Sequence, residues 1–181
     1  MDGLKYLIFL LMINGAYMAQ NSYEARLLSI NSSANSVWNL DNVRLLGREH
    51  RMNGSAALLD DMSNEYYTFS AECYHDADGS GNYKRMPFFV TKEPICKVMK
   101  TMLEYLEPSV VVGVNTDFPI NDIPCPVLKG QYWIKDIELN TDNWPTITPR
   151  GYFRGIGYIY KNGLTLAGTV EIVCEIKDRP K

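Results

Sequence analysis

The sequence predicts a mainly β fold, a sandwich or a barrel of short antiparallel strands with one short helix. Three observations predict it. Apolar and polar residues alternate along most of the chain, turn-forming residues separate the alternating segments, and one segment has helical spacing. The chain has 181 residues, of which 46% are hydrophobic and 22% are charged. That is enough chain and enough apolar material for one domain with a buried core.

Alternation is clearest near the C-terminus. Over residues 164–176 every second residue is apolar or glycine, and the residues between them are mostly polar. Residues 65–75 alternate in the same way. This pattern is typical of a strand with one buried face and one solvated face. Further strands are predicted over residues 43–46, 54–59, 83–89, 131–139 and 152–160.

Turn residues separate these strands. Asn162-Gly163 lies between two alternating segments and predicts a hairpin, while residues 76–81 are rich in Asp, Gly and Ser and predict a loop. One segment differs from the rest, because its apolar residues recur every three or four positions over residues 94–107. We predict a helix there, which begins at Pro94 and ends before Pro108.

The N-terminus predicts a secretory signal peptide over residues 1–19, followed by one domain over residues 20–181. Lys5 precedes an apolar run over residues 6–13, and small residues follow at Gly15, Ala16 and Ala19. The run is too short to span a bilayer, which takes about 20 apolar residues. The alternative is a buried N-terminal helix. A signal peptide implies a secreted, extracellular protein, and it makes the sequons at Asn31 and Asn53 candidates for glycosylation.

An even number of cysteines in a secreted chain favours two disulfides. Cys73 and Cys174 lie on the apolar parity of their strands, which places both in the core. Cys96 begins the helix, and Cys125 lies in a proline-rich loop downstream of it. Three connectivities are possible, and we predict Cys73–Cys174 and Cys96–Cys125. With two histidines and no C-x-x-C motif in the sequence, we predict no metal site.

Charge and motifs argue against several function classes. The net charge is −3, and no basic cluster suits nucleic acid. No later segment has membrane-spanning length. The chain has no G-x-S-x-G elbow, phosphate-binding glycine loop or H-E-x-x-H motif. His75-Asp76 lacks a partner nucleophile and is interpreted as a surface polar pair. We therefore predict a binding protein without catalysis and without a cofactor.

Aromatic residues and two glycines suggest where binding occurs. One parity of residues 153–159 carries Gly155 and Gly157, which would leave space for a ligand if that face points inward. The alternative is that glycine permits a bulge or a close backbone approach. Bulky residues near strand ends and loops are candidates for the cavity or its mouth. The predicted ligand-binding set is Met86, Phe88, Phe89, Tyr132, Trp133, Trp144, Phe153, Gly155, Gly157 and Ile159.

Several short motifs resemble the ML (lipid-recognition) superfamily, which includes ganglioside-activator proteins. These are Cys125-Pro126, Lys129-Gly130-Gln131-Tyr132, Pro149 and Gly151-Tyr152-Phe153-Arg154. Met86-Pro87-Phe88, followed by Cys96 at the start of a helix, resembles the chemosensory CheB branch of a family of small secreted insect ML-like proteins. The resemblance covers roughly residues 66–176.

The resemblance implies a two-sheet, immunoglobulin-like (ML-type) β-sandwich with an apolar cavity between the sheets. It also implies binding of lipid or another hydrophobic molecule, with a role in gustatory or pheromone perception. Ganglioside activators have more cysteines than this chain. The resemblance therefore implies the helix–loop disulfide in this chain, but it does not imply the other details of the lipid site. The alternative function is an extracellular protein-interaction module, a partner of a receptor or channel, with exposed Trp133 and Trp144 and a filled core.

Overall fold

The computed structural model describes residues 22–180, so the predicted signal peptide lies outside the described residues. The strands are β1 (Tyr23–Ser32), β2 (Trp38–Leu46), β3 (Arg51–Leu58), β4 (Tyr67–Asp76), β5 (Lys84–Pro94), β6 (Gly130–Ile137), β7 (Gly151–Lys161) and β8 (Thr165–Asp178). The helices are α1 (Ile95–Leu106) and a single 3₁₀ turn (Ile120–Asp122).

The strands form two antiparallel sheets. One has five strands in the order β1-β8-β7-β4-β5, and the other has three in the order β2-β3-β6. The predicted two-sheet β-sandwich with one short helix is confirmed, and a single closed barrel is not formed. The predicted hairpin is also confirmed, since Asn162 and Gly163 join β7 to β8 and both have a positive φ.

Strand β1 is not among the strands predicted from the sequence. It pairs with β8, and its buried side chains Tyr23, Ala25 and Leu27 alternate with half-buried ones. The phenol of Tyr23 donates a hydrogen bond to the carbonyl oxygen of Pro145 at 2.6 Å. The same period-2 alternation identifies the other strands. In β1 it follows directly after the predicted signal peptide.

Helix α1 forms where the helical spacing predicts it, and contacts at both ends tie it to the sandwich. At its start the backbone N–H of Cys96 donates to Asn64 Oδ1 at 2.9 Å, which satisfies a donor that the helix itself leaves unpaired. At its end the indole N–H of Trp144 donates to the Tyr105 carbonyl at 3.2 Å. The helix therefore links the loop before β4 to the loop between β6 and β7.

One of the two predicted disulfides is confirmed. Cys96 and Cys125 are bonded, with their Cα atoms 6.1 Å apart. The predicted Cys73–Cys174 bridge is wrong, because both residues are free thiols. Strand β7 runs between them, with Cys73 opposite Gly155 and Cys174 opposite Phe153. Two strand spacings amount to about 9–10 Å, beyond the roughly 7 Å between Cα atoms that a disulfide spans.

Within residues 22–180, no helix is long and apolar enough to cross a bilayer. The same residues contain no group of three or more His, Cys, Asp or Glu side chains placed to hold a metal ion.

Candidate functional site

Strand register brings three small or apolar residues together on the inner face of the five-stranded sheet. Cys73 on β4 lies opposite Gly155 on β7, and Gly155 lies opposite Ile172 on β8. Directly opposed residues point to the same side of a sheet. Because Tyr67 and Ile159 share this side and are buried, it is the core side. We call Cys73, Gly155 and Ile172 the inner patch.

The described residues leave the inner patch largely uncovered. Ile172 lies on a central strand, yet its side chain is 39% exposed. A β-carbon placed on Gly155 would have no heavy atom within 4 Å, apart from its chain neighbours. Cys73 is half-buried. A central position on the core side of a sandwich is normally buried against the facing sheet, so this exposure indicates an opening between the sheets.

The inner patch lies outside the buried clusters of the core. The buried apolar residues form three clusters, of which the first and third share contacts with the partly buried Trp38, and the inner patch belongs to none of them. The first is built around Tyr67, Ile95 and Ile159, the second around Tyr23, Cys174 and Ile176, and the third around Leu40, Val43 and Ala56.

The thiols on this face are neutral at physiological pH. Burial raises the pKa of the Cys73 thiol above its ordinary value. Burial, and secondarily the neighbouring Cys73, raises the pKa of Cys174 to about 12. A protonated thiol behaves as a small apolar group. The inner patch therefore presents an uncharged, apolar surface.

The two glycines of β7 differ in the space around them. A β-carbon at Gly157 would lie 2.6 Å from Cζ of Phe69, so the Phe69 ring already fills the space beside that residue. Both glycines are predicted to leave room for a ligand, and the structure supports this for Gly155 alone. Gly157 instead fits the alternative reading, in which glycine permits a close approach.

The other predicted inward-facing residues are mostly part of the packed core. Ile159 is fully buried in the first cluster. The ring of Tyr132 packs edge-on against Phe118, with centroids 5.0 Å apart, beside the same cluster. Phe153 and Trp144 pack against the second cluster, and Phe153 lies two residues from Gly155 on β7. Of these residues, Phe153 lies nearest to Gly155 in the chain and borders the opening.

The remaining predicted residues lie on strands β5 and β6. Trp133 is opposite Ser55, on the outward parity of the three-stranded sheet, and Tyr132 and Trp133 thus face opposite sides as their parities predict. Phe88 and Phe89 lie on the edge strand β5, where they are 64% and 58% exposed. Met86, on the same strand, is half-buried. Trp133 lies on the other sheet and Phe89 lies beside Glu72 on the outer side, so neither joins the inner patch. Met86 follows the Arg85–Tyr74 pairing and lies next to Cys73 on the neighbouring strand.

Ile172 is not among the predicted site residues, and Cys73 is predicted only as part of a disulfide. Both lie on the apolar parity of their strands, which is a detectable signal. An isoleucine on an apolar parity is ordinarily assigned to the core, however. Only the register across β4, β7 and β8 shows that it shares an opening with a glycine.

The His75-Asp76 pair is engaged in structural contacts. His75 Nε2 lies 2.8 Å from the carbonyl oxygen of Arg150, and its ring packs against Phe153 with centroids 4.8 Å apart. The carboxylate of Asp76 accepts hydrogen bonds from the backbone N–H groups of Gly79 and Gly81, at 3.1 and 2.7 Å. These contacts fix the 76–81 loop to the end of β4.

The two sequon asparagines differ in accessibility. Asn31 is exposed near the end of β1. Asn53 is half-buried, and the backbone N–H of Asp136 donates to its Oδ1 at 3.1 Å. Glycosylation at both positions stays a prediction.

The family described as "Protein of unknown function (DUF1091)" matches residues 69–155, slightly less than half of the chain. The matched span contains helix α1, the Cys96–Cys125 disulfide, Cys73 and Gly155. That family is ML-domain-like, in agreement with the superfamily that the motifs resemble. The insect and CheB parts of the resemblance stay predictions. No curated protein gives a significant match to the chain.

Proposed function

We propose that this chain is a secreted, non-enzymatic protein that binds a lipid or another hydrophobic molecule between its two sheets. The inner patch carries the proposal. Cys73, Gly155 and Ile172 form an uncharged surface at the centre of the sandwich, where Ile172 is 39% exposed and a β-carbon at Gly155 would meet open space. Apolar surface removed from water contributes roughly 25 cal/mol per Å². A ligand with apolar surface that fits this opening would gain that free energy.

The chemistry of the opening favours an apolar ligand over a charged one. Both thiols on this face are neutral, and the neighbouring residues Phe153 and Val170 are apolar. A charged ligand group placed there would lose hydration without gaining a partner. Secretion and a role in gustatory or pheromone perception rest on residues 1–19 and on the resemblance, and they are part of the proposal.

Native mass spectrometry of the secreted protein, followed by organic extraction, tests the proposal directly. We expect a co-purifying hydrophobic molecule, or binding of added fatty acids, hydrocarbons or glycolipids. Ile172→Lys places a charge in the opening and should weaken binding at least tenfold. Leu166→Lys is the matched control, because Leu166 lies on the same strand, is 53% exposed and faces the outer side opposite Tyr160.

Two results would count against the proposal. One is a ligand-free protein that binds none of these compounds, and the other is an equal effect of the two lysine variants. If Ile172→Lys fails to fold, Gly155→Leu is the second variant. The leucine side chain enters open space and should fill the opening, which should also weaken binding. Thermal unfolding followed by circular dichroism shows whether each variant is folded.

The alternative is an extracellular interaction module, and the exposed rings of Phe88, Phe89 and Trp133 favour it. It predicts that Trp133→Ala or Phe88→Ala abolishes binding to an extracellular receptor or channel partner. It also predicts that Ile172→Lys leaves that binding intact. Surface plasmon resonance with a candidate partner ectodomain distinguishes the two functions.

A further inference from the structure

A second cavity lies on the opposite, outer face of the five-stranded sheet. Its volume is about 370 Å³, and its lining includes Ser70, Glu72, Arg85, Phe89, Tyr158 and Tyr160. Ser70 lies opposite Tyr158, and Glu72 lies opposite Phe89, so these side chains share one side. Strand β4 alternates between the two faces, with Ala71 and Cys73 pointing inward. The outer cavity is therefore separated from the inner patch by the sheet itself.

Irregular pairing of the edge strand borders this cavity. Phe69 pairs with Glu93, and Ala71 pairs with Val90. Between these two pairings β5 advances three residues while β4 advances only two, so β5 contains one extra residue. It shifts register again between the Glu72 and Tyr74 pairings. Such bulges bend a strand and re-aim its side chains. Phe89 lies between the two irregularities, on the side of Glu72, with its ring 58% exposed.

The polar groups of the cavity are held in place by one another. Glu72 accepts a hydrogen bond from the Tyr74 phenol at 2.8 Å, and its other oxygen lies 2.8 Å from an Arg85 guanidinium nitrogen. The Lys92 ammonium lies 3.7 Å from the centroid of the Tyr160 ring, which holds that ring through a cation–π contact. The cavity thus combines a Tyr160 ring held by Lys92 with hydrogen-bonding groups held by one another.

The pairing of Glu72 with Arg85 determines the kind of ligand that fits. The charges of Glu72 and Arg85 neutralise each other, and the nearby Lys92 ammonium is engaged by the Tyr160 ring and by the Gly163 carbonyl oxygen at 2.9 Å. The carboxylate retains acceptor sites and the guanidinium retains donors, and Ser70 and the two tyrosines offer hydroxyl groups. An acyl chain would bury these polar atoms without partners, which is unfavourable. A neutral ligand with both apolar and hydroxyl-rich surfaces suits the cavity.

We propose that the outer cavity, built from Ser70, Glu72, Arg85, Phe89, Tyr158 and Tyr160, binds a neutral saccharide. A pyranose ring has apolar C–H faces, which pack on aromatic rings, and a rim of hydroxyls, each both a donor and an acceptor. The exposed Phe89 ring and the Tyr158 and Tyr160 rings supply the first kind of contact. Glu72, Arg85 and Ser70 supply the second. This site is independent of the hydrophobic ligand proposed above.

Saturation-transfer NMR and titration calorimetry with maltose, cellobiose, lactose and N,N′-diacetylchitobiose test the site. We expect at least one of these to bind. Phe89→Ala, which removes an exposed ring, and Glu72→Gln, which keeps the shape and removes the charge, should each weaken binding at least tenfold. Tyr105→Ala, which removes an exposed ring on α1, should bind like the wild type, and so should Ile172→Lys.

Three results would overturn the proposal. The first is that none of the four saccharides binds at millimolar concentration. The second is that saccharide binding is unchanged in both cavity variants. In the third, native mass spectrometry detects a dimer that Phe89→Ala dissociates, which would assign this face to a second copy of the chain. Phe89 lies on an edge strand and is mostly exposed, so its variant is expected to fold even if Glu72→Gln does not.

Discussion

The ring of Phe69 lies over Gly157, with Cζ 2.6 Å from the position that a β-carbon at residue 157 would take. Gly155, two residues earlier on the same face of β7, has no comparable neighbour. Neither glycine has a positive φ, so both backbones suit any residue. The difference between the two positions is therefore the side-chain space alone.

This difference predicts opposite results for alanine at the two positions. Gly157→Ala drives a methyl group into the Phe69 ring, and such overpacking costs about 1–3 kcal/mol. Gly155→Ala enters open space and reduces the freedom of the unfolded chain, which stabilises by about 0.4–1 kcal/mol. Urea unfolding of the two variants and the wild type measures both changes. Equal destabilisation by the two variants would contradict the open space at Gly155.

Alternation in the sequence predicts which face a residue takes but not which strands are neighbours. Cys73 and Cys174 are both predicted on the core side, and both lie on the inner face of the sheet. Strand order is decided by contacts between distant parts of the chain, and it places β7 between the two cysteines. The helix–loop disulfide was easier to predict, because Cys96 and Cys125 are only 29 residues apart, one at the start of the helix and the other in the loop that follows it.

The candidate site was only partly predictable for a related reason. Bulky residues such as Tyr132 and Phe88 attract attention in a sequence, but the first packs beside the core and the second lies on an exposed edge. The opening is marked by a missing side chain at Gly155. Its neighbour Ile172 looks like any core isoleucine until the register between β7 and β8 is known.

The two free thiols predict a specific pattern of alkylation. In the folded protein at neutral pH, Cys174 should resist iodoacetamide, because burial raises its pKa to about 12 and blocks access. Cys73 is half-buried with a raised pKa and should react slowly. Unfolding in urea without reductant should expose both, while Cys96 and Cys125 should require reduction as well.

Peptide mapping by mass spectrometry reads this pattern at each cysteine. The expected cross-linked peptide joins Cys96 to Cys125. A peptide joining Cys73 to Cys174 in unreduced protein would contradict the strand order of the five-stranded sheet.

Loss of the disulfide should destabilise the fold. The bond ties the start of α1 to the loop before β6, and removal of a native disulfide from a small secreted domain typically costs about 2–5 kcal/mol. We expect a Cys96→Ala, Cys125→Ala double variant to unfold at lower urea than the wild type. Cys73→Ala is the control, because it removes a half-buried free thiol beside open space and should cost less. A smaller effect of the double variant than of this control would argue against the bond.

The carboxylate of Asp60 predicts a pH dependence at low pH. It accepts hydrogen bonds from the Lys161 ammonium at 2.6 Å and from the Tyr67 phenol at 2.7 Å. These contacts, with Lys161 the larger cause, lower the pKa of Asp60 from 3.8 to about 2. Because the folded state favours the charged carboxylate, the resulting stabilisation is fully present above pH 3.8. It is lost as the pH falls from 3.8 towards about 2.

Melting temperatures of the wild type and of Asp60→Asn, measured between pH 2 and pH 6, test this dependence. The variant lacks the titrating group, so its melting temperature should fall less steeply than that of the wild type between pH 3.8 and pH 2. The Asp60 side chain is partly exposed, so solvent screening reduces the effect and a shift of a few degrees is the expected scale. Asp61→Asn is the control, since it removes the adjacent carboxylate but keeps the contacts to Lys161 and Tyr67. Parallel pH profiles for the wild type and Asp60→Asn would show that the ion pair does not stabilise the fold.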